Sequence, residues 1–326
     1  MFINDVYPLK AQFMKGEKIT IRMELENPLK EDISAGLIVK VSHIDEIEEV
    51  IELSAREIKA GESIVIDVEL EPRDEDFKGY GVDVGLIRDG VQIEELSTSF
   101  DVVSDWRKTP RYGFLADFYR EDIDDKKDVE SLRKLHINMV QFYDWMYRGD
   151  MLVSPSEEYI DMMGRKVNSR VVKQKISYCH ELGMHPVAYG AVYSASREFY
   201  EKHRDWALYD GNSEVLKFID RFYIMNISPD CPWHAHIIKQ YEKAIDIMGF
   251  DGIHMDTYGF PKKAISIRGE EKKTEYLDEH FPILIENTRK TLSARKQDVC
   301  LIFNNVGNWP VDSIADTSVD AIYIAV

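Results

Sequence analysis

Alternating apolar and polar positions dominate the first third of the chain and predict short β-strands. The alternating runs are "KITIRMELEN" (18–27), "AGLIVKVSHI" (35–44), "ESIVIDVELE" (62–71) and "YGVDVGLIRD" (80–89). Each run has the two-residue period of a strand with one buried face, and Gly, Asn, Asp and Pro separate the runs. This pattern predicts an antiparallel β-sandwich of immunoglobulin type over residues 1–105. No cluster of His, Cys or carboxylate residues converges there, which favours a packing or spacer module without chemistry.

After residue 105 the period changes, and apolar strands alternate with helical stretches. Predicted strands cover residues 113–118, 137–145, 185–193, 250–256, 299–306 and 320–326. Apolar residues at helical spacing fill 169–183, 234–249 and roughly 274–296 between them. Repeated strand–helix–strand units predict a parallel sheet, and their even spacing favours a (β/α)8 TIM-type barrel over an open sheet. Six strands are two short of a closed barrel, so residues 106–326 are predicted to be a barrel domain truncated after strand six.

Composition and charge narrow the partners that this chain can bind. The 326 residues carry a formal net charge of −18. This charge disfavours nucleic acid, because phosphate contacts need clustered Lys and Arg. No stretch of about 20 apolar residues could span a membrane, and Met1 is followed by no basic-then-apolar signal segment. The expectation is a cytoplasmic protein or the mature form of a secreted one.

Motifs for cofactors and metals are scarce in the sequence. Cys179, Cys231 and Cys300 lie far apart, without the CxxC spacing of a zinc site and without the pattern of a disulfide frame. His234 and His236 have the spacing i, i+2, which points two helical side chains apart, so a structural role is favoured. No Gly-rich phosphate loop or nucleotide-binding fingerprint is visible. The sequence therefore predicts neither a cofactor nor a metal, and it does not determine the oligomeric state.

Polar and aromatic residues cluster where the predicted barrel strands end, which is the catalytic face of such a barrel. The candidates are Asp117 after strand one, Tyr143, Asp144 and Trp145 after strand two, Tyr189 and Tyr193 after strand three, His254 and Asp256 on strand four, Tyr258 just beyond it, and Asn304 and Asn305 after strand five. Sugars stack their C–H faces on aromatic rings, while their hydroxyls bond to carboxylates and amides. This mixture of side chains predicts a carbohydrate ligand.

Each candidate also has a structural interpretation that the sequence leaves open. Asp256 could cap a helix or anchor a loop, although an acid that closes a buried strand at a barrel mouth favours function. Arg148 either contacts the ligand or pairs with Asp144, and the tyrosines could be packing residues. Asn304 and Asn305 favour a ligand role, because little else would satisfy an amide pair directly after an apolar strand.

Three motifs occur in order along the barrel region. They are "FYDWMYRGDML" (142–152), "GIHMDTYG" (252–259) and "FNNVGNWP" followed by "DAIYIAV" (303–326). From about residue 112 onward the chain resembles glycoside hydrolase family 66, the dextranases and cycloisomaltooligosaccharide glucanotransferases. The resemblance implies retaining hydrolysis or transglycosylation of α-1,6-glucan, with α-glucan or isomaltooligosaccharide as the ligand. It also implies an Asp nucleophile after strand four, which falls on Asp256, and a Glu acid/base after strand six, which falls on Ala325.

Ala325 is the main departure from this family pattern. Retaining hydrolysis needs two carboxyl groups about 5–5.5 Å apart, one to attack and one to protonate the leaving oxygen. An alanine can do neither, and residues 321–326 contain no carboxylate that a shifted register could supply. Three explanations stay open: an engineered substitution, a natural non-catalytic binder, or a wrong register. The sequence predicts an endo-acting dextranase that is inactive as written, with a cycloisomaltooligosaccharide glucanotransferase or a non-catalytic α-glucan-binding protein as alternatives.

Overall fold

The computed structural model describes residues 2–269 and 272–325, which form two compact units. The first unit runs to Arg111 and includes Lys127–Asn138 and Glu181–Met184. The second unit comprises Tyr112–Lys126, Met139–His180 and the chain from His185 onward. Val326, the last residue of the predicted sixth strand, lies outside the described residues. The predicted domain boundary between residues 105 and 106 stays a prediction.

The first unit contains eight strands in two sheets. The strands are β1 (Ile3–Pro8), β2 (Phe13–Met14), β3 (Ile19–Glu26), β4 (Ile33–His43), β5 (Glu46–Ile58), β6 (Ser63–Leu70), β7 (Lys78–Arg88) and β8 (Val91–Val103). One sheet has the strand order β1-β3-β6, and the other has the order β2-β8-β7-β4-β5. All pairs are antiparallel except β2 with β8.

One hydrophobic core is shared by these two sheets. It contains alternate residues of β3, β4 and β7, such as Ile21, Met23, Val39 and Val82, which are fully buried. The four predicted strands of this region are confirmed as β3, β4, β6 and β7. The alternation misses β5, because most of its side chains are exposed and acidic residues weaken the apolar contrast. The immunoglobulin type of the sandwich stays a prediction.

The second unit is built around six parallel strands. They are β9 (Tyr112–Leu115), β10 (Met139–Phe142), β13 (His185–Ala191), β18 (Gly252–Asp256), β21 (Cys300–Asn304) and β22 (Ala321–Tyr323), and they pair in this chain order. Sheet neighbours that follow chain order are typical of a β/α barrel, whereas a doubly wound sheet reverses its order. All six predicted strands are confirmed, so the fold is multi-domain and includes a barrel-like domain. The predicted truncation stays a prediction.

The helices follow the predicted strand–helix alternation. They are α1 (Lys127–Lys134, in the first unit), α2 (Ser169–Glu181), α3 (Arg197–Lys202), α4 (Pro232–Lys243), α5 (Leu277–Ser293) and α6 (Val311–Ala315). A π-helical turn, Ala244–Met248, extends α4 up to Gly249, which adopts φ +90° and ends the helix. The three predicted helices are confirmed as α2, α4 and α5. None of the helices in the described part of the chain combines the length and the apolar character needed to cross a membrane.

Short strands in the loops after β10, β13 and β18 surround the carboxyl ends of the barrel strands. They form the hairpin β11 (Glu158–Ile160) with β12 (Lys166–Asn168), the sheet of β14 (Ser194–Ala195), β17 (Phe222–Ile224) and β16 (Lys217–Phe218), and the sheet of β15 (Leu208–Tyr209), β19 (Lys263–Ser266) and β20 (Lys273–Tyr276). Because parallel strands end on one face of the sheet, these loop elements lie on the face where barrel enzymes carry their sites.

Asp251 immediately precedes β18 and is the centre of a buried ion-pair cluster. Its Oδ2 lies 3.0 Å from His180 Nε2 and 3.1 Å from His185 Nδ1. Its Oδ1 accepts a 2.6 Å hydrogen bond from Lys296 Nζ. Burial raises the pKa of this carboxyl, but the hydrogen bonds with the two histidines outweigh burial and hold the pKa below its usual range. The cluster fixes the beginning of β18, whose other end is Asp256.

We expect Asp251→Asn to destabilise the protein by about 2–4 kcal/mol. Removing one partner of a buried ion pair costs about 3–5 kcal/mol, and the partial exposure of His180 and Lys296 reduces that figure. Because the folded-state pKa of Asp251 is lowered, its stabilisation is present above the unfolded-state pKa and is lost as pH falls. Urea unfolding at pH 7 and at about pH 3 tests this, with the exposed Asp298→Asn as control. Equal midpoints for parent and variant at pH 7 contradict it.

Candidate active site

The carboxyl ends of the parallel strands border a cavity of about 730 Å³. The predicted residues that line it are Tyr143, Asp144, Tyr189, His254, Asp256, Tyr258 and Asn304. The other lining residues are Phe114, Gln141, Met146, Met163, Arg165, Phe218, Ile219, Phe222, Thr257, Val306 and Tyr323. Because the parallel strands end on one face of the sheet, most of the predicted side chains line this one cavity.

Asp256 is the last residue of β18 and is only 8% exposed. Its Oδ2 accepts a 2.6 Å hydrogen bond from the Tyr189 hydroxyl, and its Oδ1 accepts one of 2.6 Å from Asn304 Nδ2. Tyr189 belongs to β13 and Asn304 to β21, the two strands that flank β18. The parallel pairing of three strands thus orients both carboxylate oxygens, as a reacting carboxylate requires.

Burial raises the pKa of Asp256 to about 6, because the carboxylate loses its hydration. The hydrogen bonds from Tyr189 and Asn304 oppose this rise, since they stabilise the charged form, whereas the charge of Asp144 adds to it. The side chain is then mostly ionised at neutral pH. A pKa perturbed by burial and by a second carboxylate, inside a cavity, is typical of functional groups.

Asp144 forms its ion pair with Arg165. Arg165 also bonds to Asp161 Oδ2 at 2.7 Å, and its side chain lines the cavity. Arg148 instead donates to two backbone carbonyls and does not line the cavity. The predicted pairing of Arg148 with Asp144 is therefore corrected, and its ligand contact stays a prediction. The reason is the hairpin β11–β12, which returns Arg165 to Asp144 from 21 positions further along the chain.

Trp145 and Tyr193 are fully buried and do not line the cavity. Trp145 Nε1 donates a 3.1 Å hydrogen bond to the Tyr189 carbonyl. The Tyr193 hydroxyl donates to the Phe260 carbonyl at 2.8 Å and accepts from the Tyr258 backbone N–H at 2.6 Å. Their polar atoms are used inside the protein, where Trp145 holds strand β13 at Tyr189 and Tyr193 holds the loop that carries Tyr258. The ligand contacts of both residues stay predictions.

Asp117 and Asn305 also lie outside the cavity wall. Asp117 is exposed, and its backbone carbonyl accepts a 2.8 Å hydrogen bond from Lys175 Nζ. Asn305 is fully buried, next to Asn304, which lines the cavity. Adjacent residues of an extended segment project to opposite sides, so only one member of the amide pair can face a ligand. The ligand contacts of Asp117 and Asn305 stay predictions that these positions do not support.

Ala325 lies two residues beyond the end of β22. Its backbone N–H donates a 3.3 Å hydrogen bond to Asn304 Oδ1, and the Nδ2 of the same amide donates to Asp256. One side chain therefore links position 325 to Asp256, although a methyl group carries no proton to donate. Among the described residues that line the cavity, the carboxylates are Asp256 and Asp144, and Asp144 is held by Arg165.

Sequence reasoning missed Phe218 and Phe222, which form an aromatic wall with the predicted Tyr258. Phe218 stacks on Tyr258, with ring centroids 4.3 Å apart and an interplanar angle of 14°. The two phenylalanines come from the hairpin β16–β17, and no local pattern indicates that this hairpin turns toward the cavity. Gln141 was missed too, although a polar residue inside the apolar strand β10 was a usable signal. Flat rings beside carboxylates and amides suit a sugar ligand.

Residues 8–326 match the family model described as glycosyl hydrolase family 66. The chain belongs to glycosyl hydrolase family 66. The family that three sequence motifs predicted is therefore confirmed. Within it, the cavity at the carboxyl ends of the strands is the candidate active site.

Two curated relatives of this family 66 chain are named for different activities. A cycloisomaltooligosaccharide glucanotransferase of Niallia circulans is 26% identical over 348 residues, which cover 98% of this chain and 34% of that protein. A dextranase of Streptococcus salivarius is 22% identical over 289 residues, which cover 75% of this chain and 33% of that protein. The chain thus spans about a third of the length of the curated relatives it matches.

A solved family 66 relative has the same fold. It is a Paenibacillus sp. cycloisomaltooligosaccharide glucanotransferase complexed with cycloisomaltoheptaose, with a TM-score of 0.89 and 23% identity to this chain. The match covers 99% of this chain and 48% of that one. At this identity the likeness establishes the fold alone.

Proposed function

We propose that this chain carries the sugar-binding cavity and the nucleophile of a retaining glycosidase that acts inside α-1,6-glucan chains. The observation that carries the proposal is Asp256, a buried carboxylate at the end of the fourth barrel strand, with each oxygen held by a hydrogen bond. The names of the family 66 relatives, a dextranase and a cycloisomaltooligosaccharide glucanotransferase, supply the substrate class. The cavity walls support it, because they combine stacked rings with amide, hydroxyl and carboxylate groups.

Asp256 attacks the anomeric carbon of the sugar in this proposal and forms a glycosyl ester. Tyr189 and Asn304 hold the carboxylate so that a lone pair of one oxygen can face the anomeric carbon. The same two hydrogen bonds favour ionisation, which offsets part of the burial effect. Phe218, which stacks on Tyr258 with one face and lines the cavity, is the ring on which the C–H face of a glucose unit stacks in this proposal.

Protonation of the departing sugar oxygen is the step that this chain lacks. A Glu at position 325 would act as the acid/base, and Ala325 cannot. Asp144, the other carboxylate of the cavity wall, is paired with Arg165. The chain as sequenced therefore binds α-glucan and does not turn it over at a useful rate. The alternatives are a cycloisomaltooligosaccharide glucanotransferase and a non-catalytic α-glucan-binding protein.

Binding of α-1,6-linked oligosaccharides tests the substrate class directly. Calorimetric titration with isomaltoheptaose should give saturable binding, and maltoheptaose, which is α-1,4-linked, should bind more weakly. Phe218→Ala should lower the affinity by roughly fivefold or more, because a stacking face worth about 1 kcal/mol is lost. Phe77→Ala, at an exposed phenylalanine of the first unit, is the matched control and should leave affinity unchanged. No binding of isomaltoheptaose by the parent protein rejects the proposal.

The pKa of Asp256 predicts that the pH–rate profile of glycosyl-enzyme formation has an acid limb, in which the rate falls as the pH is lowered. The nucleophile must be ionised, so kcat/KM for an activated glucosyl donor should fall as pH drops below about 6. Asp144→Asn should move this limb to lower pH, because it removes a negative charge beside Asp256, while Arg165 keeps its ion pair with Asp161. Rates between about pH 4 and 8 measure both effects, with Arg148→Ala as the control. If Asp144→Asn leaves the acid limb at the same pH, or moves it to higher pH, this prediction is contradicted.

A further inference from the structure

His254 lies two residues before Asp256 on β18, so both side chains project to the same face of the strand. The imidazole is only 2% exposed and lines the cavity. Its Nδ1 lies 2.7 Å from the hydroxyl oxygen of Tyr112, and that hydroxyl lies 3.0 Å from Gln141 Oε1. Three side chains from β9, β10 and β18 therefore form one hydrogen-bonded chain at the cavity.

The number of protons on these three side chains determines which group donates and which accepts in each hydrogen bond. Gln141 Oε1 can only accept, so the single Tyr112 hydroxyl proton is donated to it. The Tyr112 oxygen must then accept from His254, which places the imidazole proton on Nδ1. Burial lowers the pKa of His254 to about 3, so the ring carries one proton at neutral pH. The Nε2 atom is consequently a lone-pair acceptor.

The Nε2 atom of His254 is open to the cavity. Tyr112 is the hydrogen-bond partner of His254 among residues 2–269 and 272–325, and it uses Nδ1. Several polar atoms of the described residues are fully buried without a hydrogen-bond partner, and His254 Nε2 is not one of them. This nitrogen is therefore not enclosed by protein. It lines the same cavity as Asp256, and the Tyr189 ring lies nearly parallel to the imidazole at 6.4 Å.

We propose that His254 Nε2 accepts a hydrogen bond from a hydroxyl of the sugar ring that Asp256 attacks, and that Tyr112 and Gln141 fix the tautomer that makes this possible. The inference rests on the proposed function of the cavity. An uncharged acceptor selects a donor, and hydroxyls are the donors that a neutral sugar offers. His254 is thus a positioning residue, because it orients the ring whose anomeric carbon faces Asp256. Tyr112 and Gln141 act only through His254.

The tautomer can be measured without any sugar or activity. The protein labelled with [¹⁵N]histidine has nine histidines, and His254→Gln identifies the signals of position 254 by their loss. The ¹⁵N shifts of His254 should show a protonated Nδ1 and an unprotonated Nε2 from about pH 5 to pH 8. Tyr112→Phe removes the hydroxyl and should give a mixture of tautomers. A protonated Nε2 in the parent protein overturns the inference.

Oligosaccharide binding measures whether the acceptor is used. Saturating isomaltotriose should shift the Nε2 signal of His254, since a new donor reaches this nitrogen. His254→Phe should lower the affinity for isomaltotriose by roughly 5- to 100-fold, as expected when a hydroxyl loses its partner in a buried site. His254→Gln, which offers an acceptor oxygen, should recover part of the loss. His43→Gln, at a histidine of the first unit, is the matched control.

The outcomes separate this inference from the proposed function. If the parent protein binds no isomaltooligosaccharide, the proposed function fails, and the sugar-binding part of the inference fails with it. If the parent binds and either His254→Phe binds equally well or the Nε2 signal stays in place, the inference alone is overturned. Should His254→Phe fail to fold, Tyr112→Phe decides: affinity equal to the parent despite a mixed tautomer overturns the inference, and a several-fold loss supports it.

Discussion

Replacing Asp256 by asparagine is expected to abolish turnover of dextran in protein that carries Glu at position 325. An amide cannot form the glycosyl ester, so kcat should fall on the order of 10³-fold or more. Binding of isomaltooligosaccharide should survive, because the cavity walls that contact the sugar are unchanged. Initial rates of reducing-sugar release and calorimetric titration on the same preparation measure the two properties separately.

The control for this substitution is Asp298→Asn, which makes the same chemical change at an exposed carboxylate. It should leave both rate and affinity at the level of the parent. The carbonyl oxygen of asparagine at 256 can still accept from the Tyr189 hydroxyl, so the fold should persist, and circular dichroism checks this. Activity within tenfold of the parent would remove Asp256 from the mechanism.

The placement of Asp256, Tyr189 and Asn304 was predictable because parallel strands share one carboxyl-terminal face. Asp256 and Asn304 end apolar strands and Tyr189 lies near the end of one, and the strands β13, β18 and β21 are neighbours in the sheet. Chain order alone then brings Tyr189 and Asn304, which lie 67 and 48 positions from Asp256, into hydrogen-bond contact with it. Periodicity also located all six barrel strands, since their apolar runs contrast strongly with the helices between them.

The sequence pattern could not identify Arg165 as the ion-pair partner of Asp144. Arg148 is four residues away, and Arg165 reaches Asp144 only through the turn of the hairpin β11–β12. That turn is built by Asp161, whose Oδ1 accepts from the backbone N–H groups of Met163 and Arg165. Choosing between two arginines requires the three-dimensional path of this loop.

The burial of Trp145 is a second feature that the sequence pattern could not predict. Its neighbour Tyr143 faces the cavity, and Asp144 between them adopts φ +58°. A left-handed residue breaks the strand alternation, so the side chain that follows it enters the core. Asp tolerates this conformation better than most residues, but the sequence does not show that it is used here.

Introducing a carboxyl group at position 325 has the second large expected effect. Ala325→Glu should create dextran hydrolysis, because a general acid contributes about 10²- to 10⁴-fold to such a reaction. The backbone of residue 325 is already linked through Asn304 to Asp256, so the new side chain starts beside the proposed nucleophile. Ala325→Gln has nearly the same size without an ionisable proton, and it should remain inactive. This matched pair separates proton donation from a change of shape.

The chain with Ala325 should still react with a donor whose leaving group needs no protonation. Asp256 can expel fluoride from an α-isomaltosyl fluoride, and the resulting glycosyl-enzyme should accumulate, because no base activates water to release it. Azide is a nucleophile that needs no base, so it should speed release of a glycosyl azide of retained configuration. Mass spectrometry of the adduct and NMR of the product measure both steps, and Asp256→Asn is the negative control. No adduct, no azide acceleration and no gain from Ala325→Glu would together leave the α-glucan-binding protein as the better account.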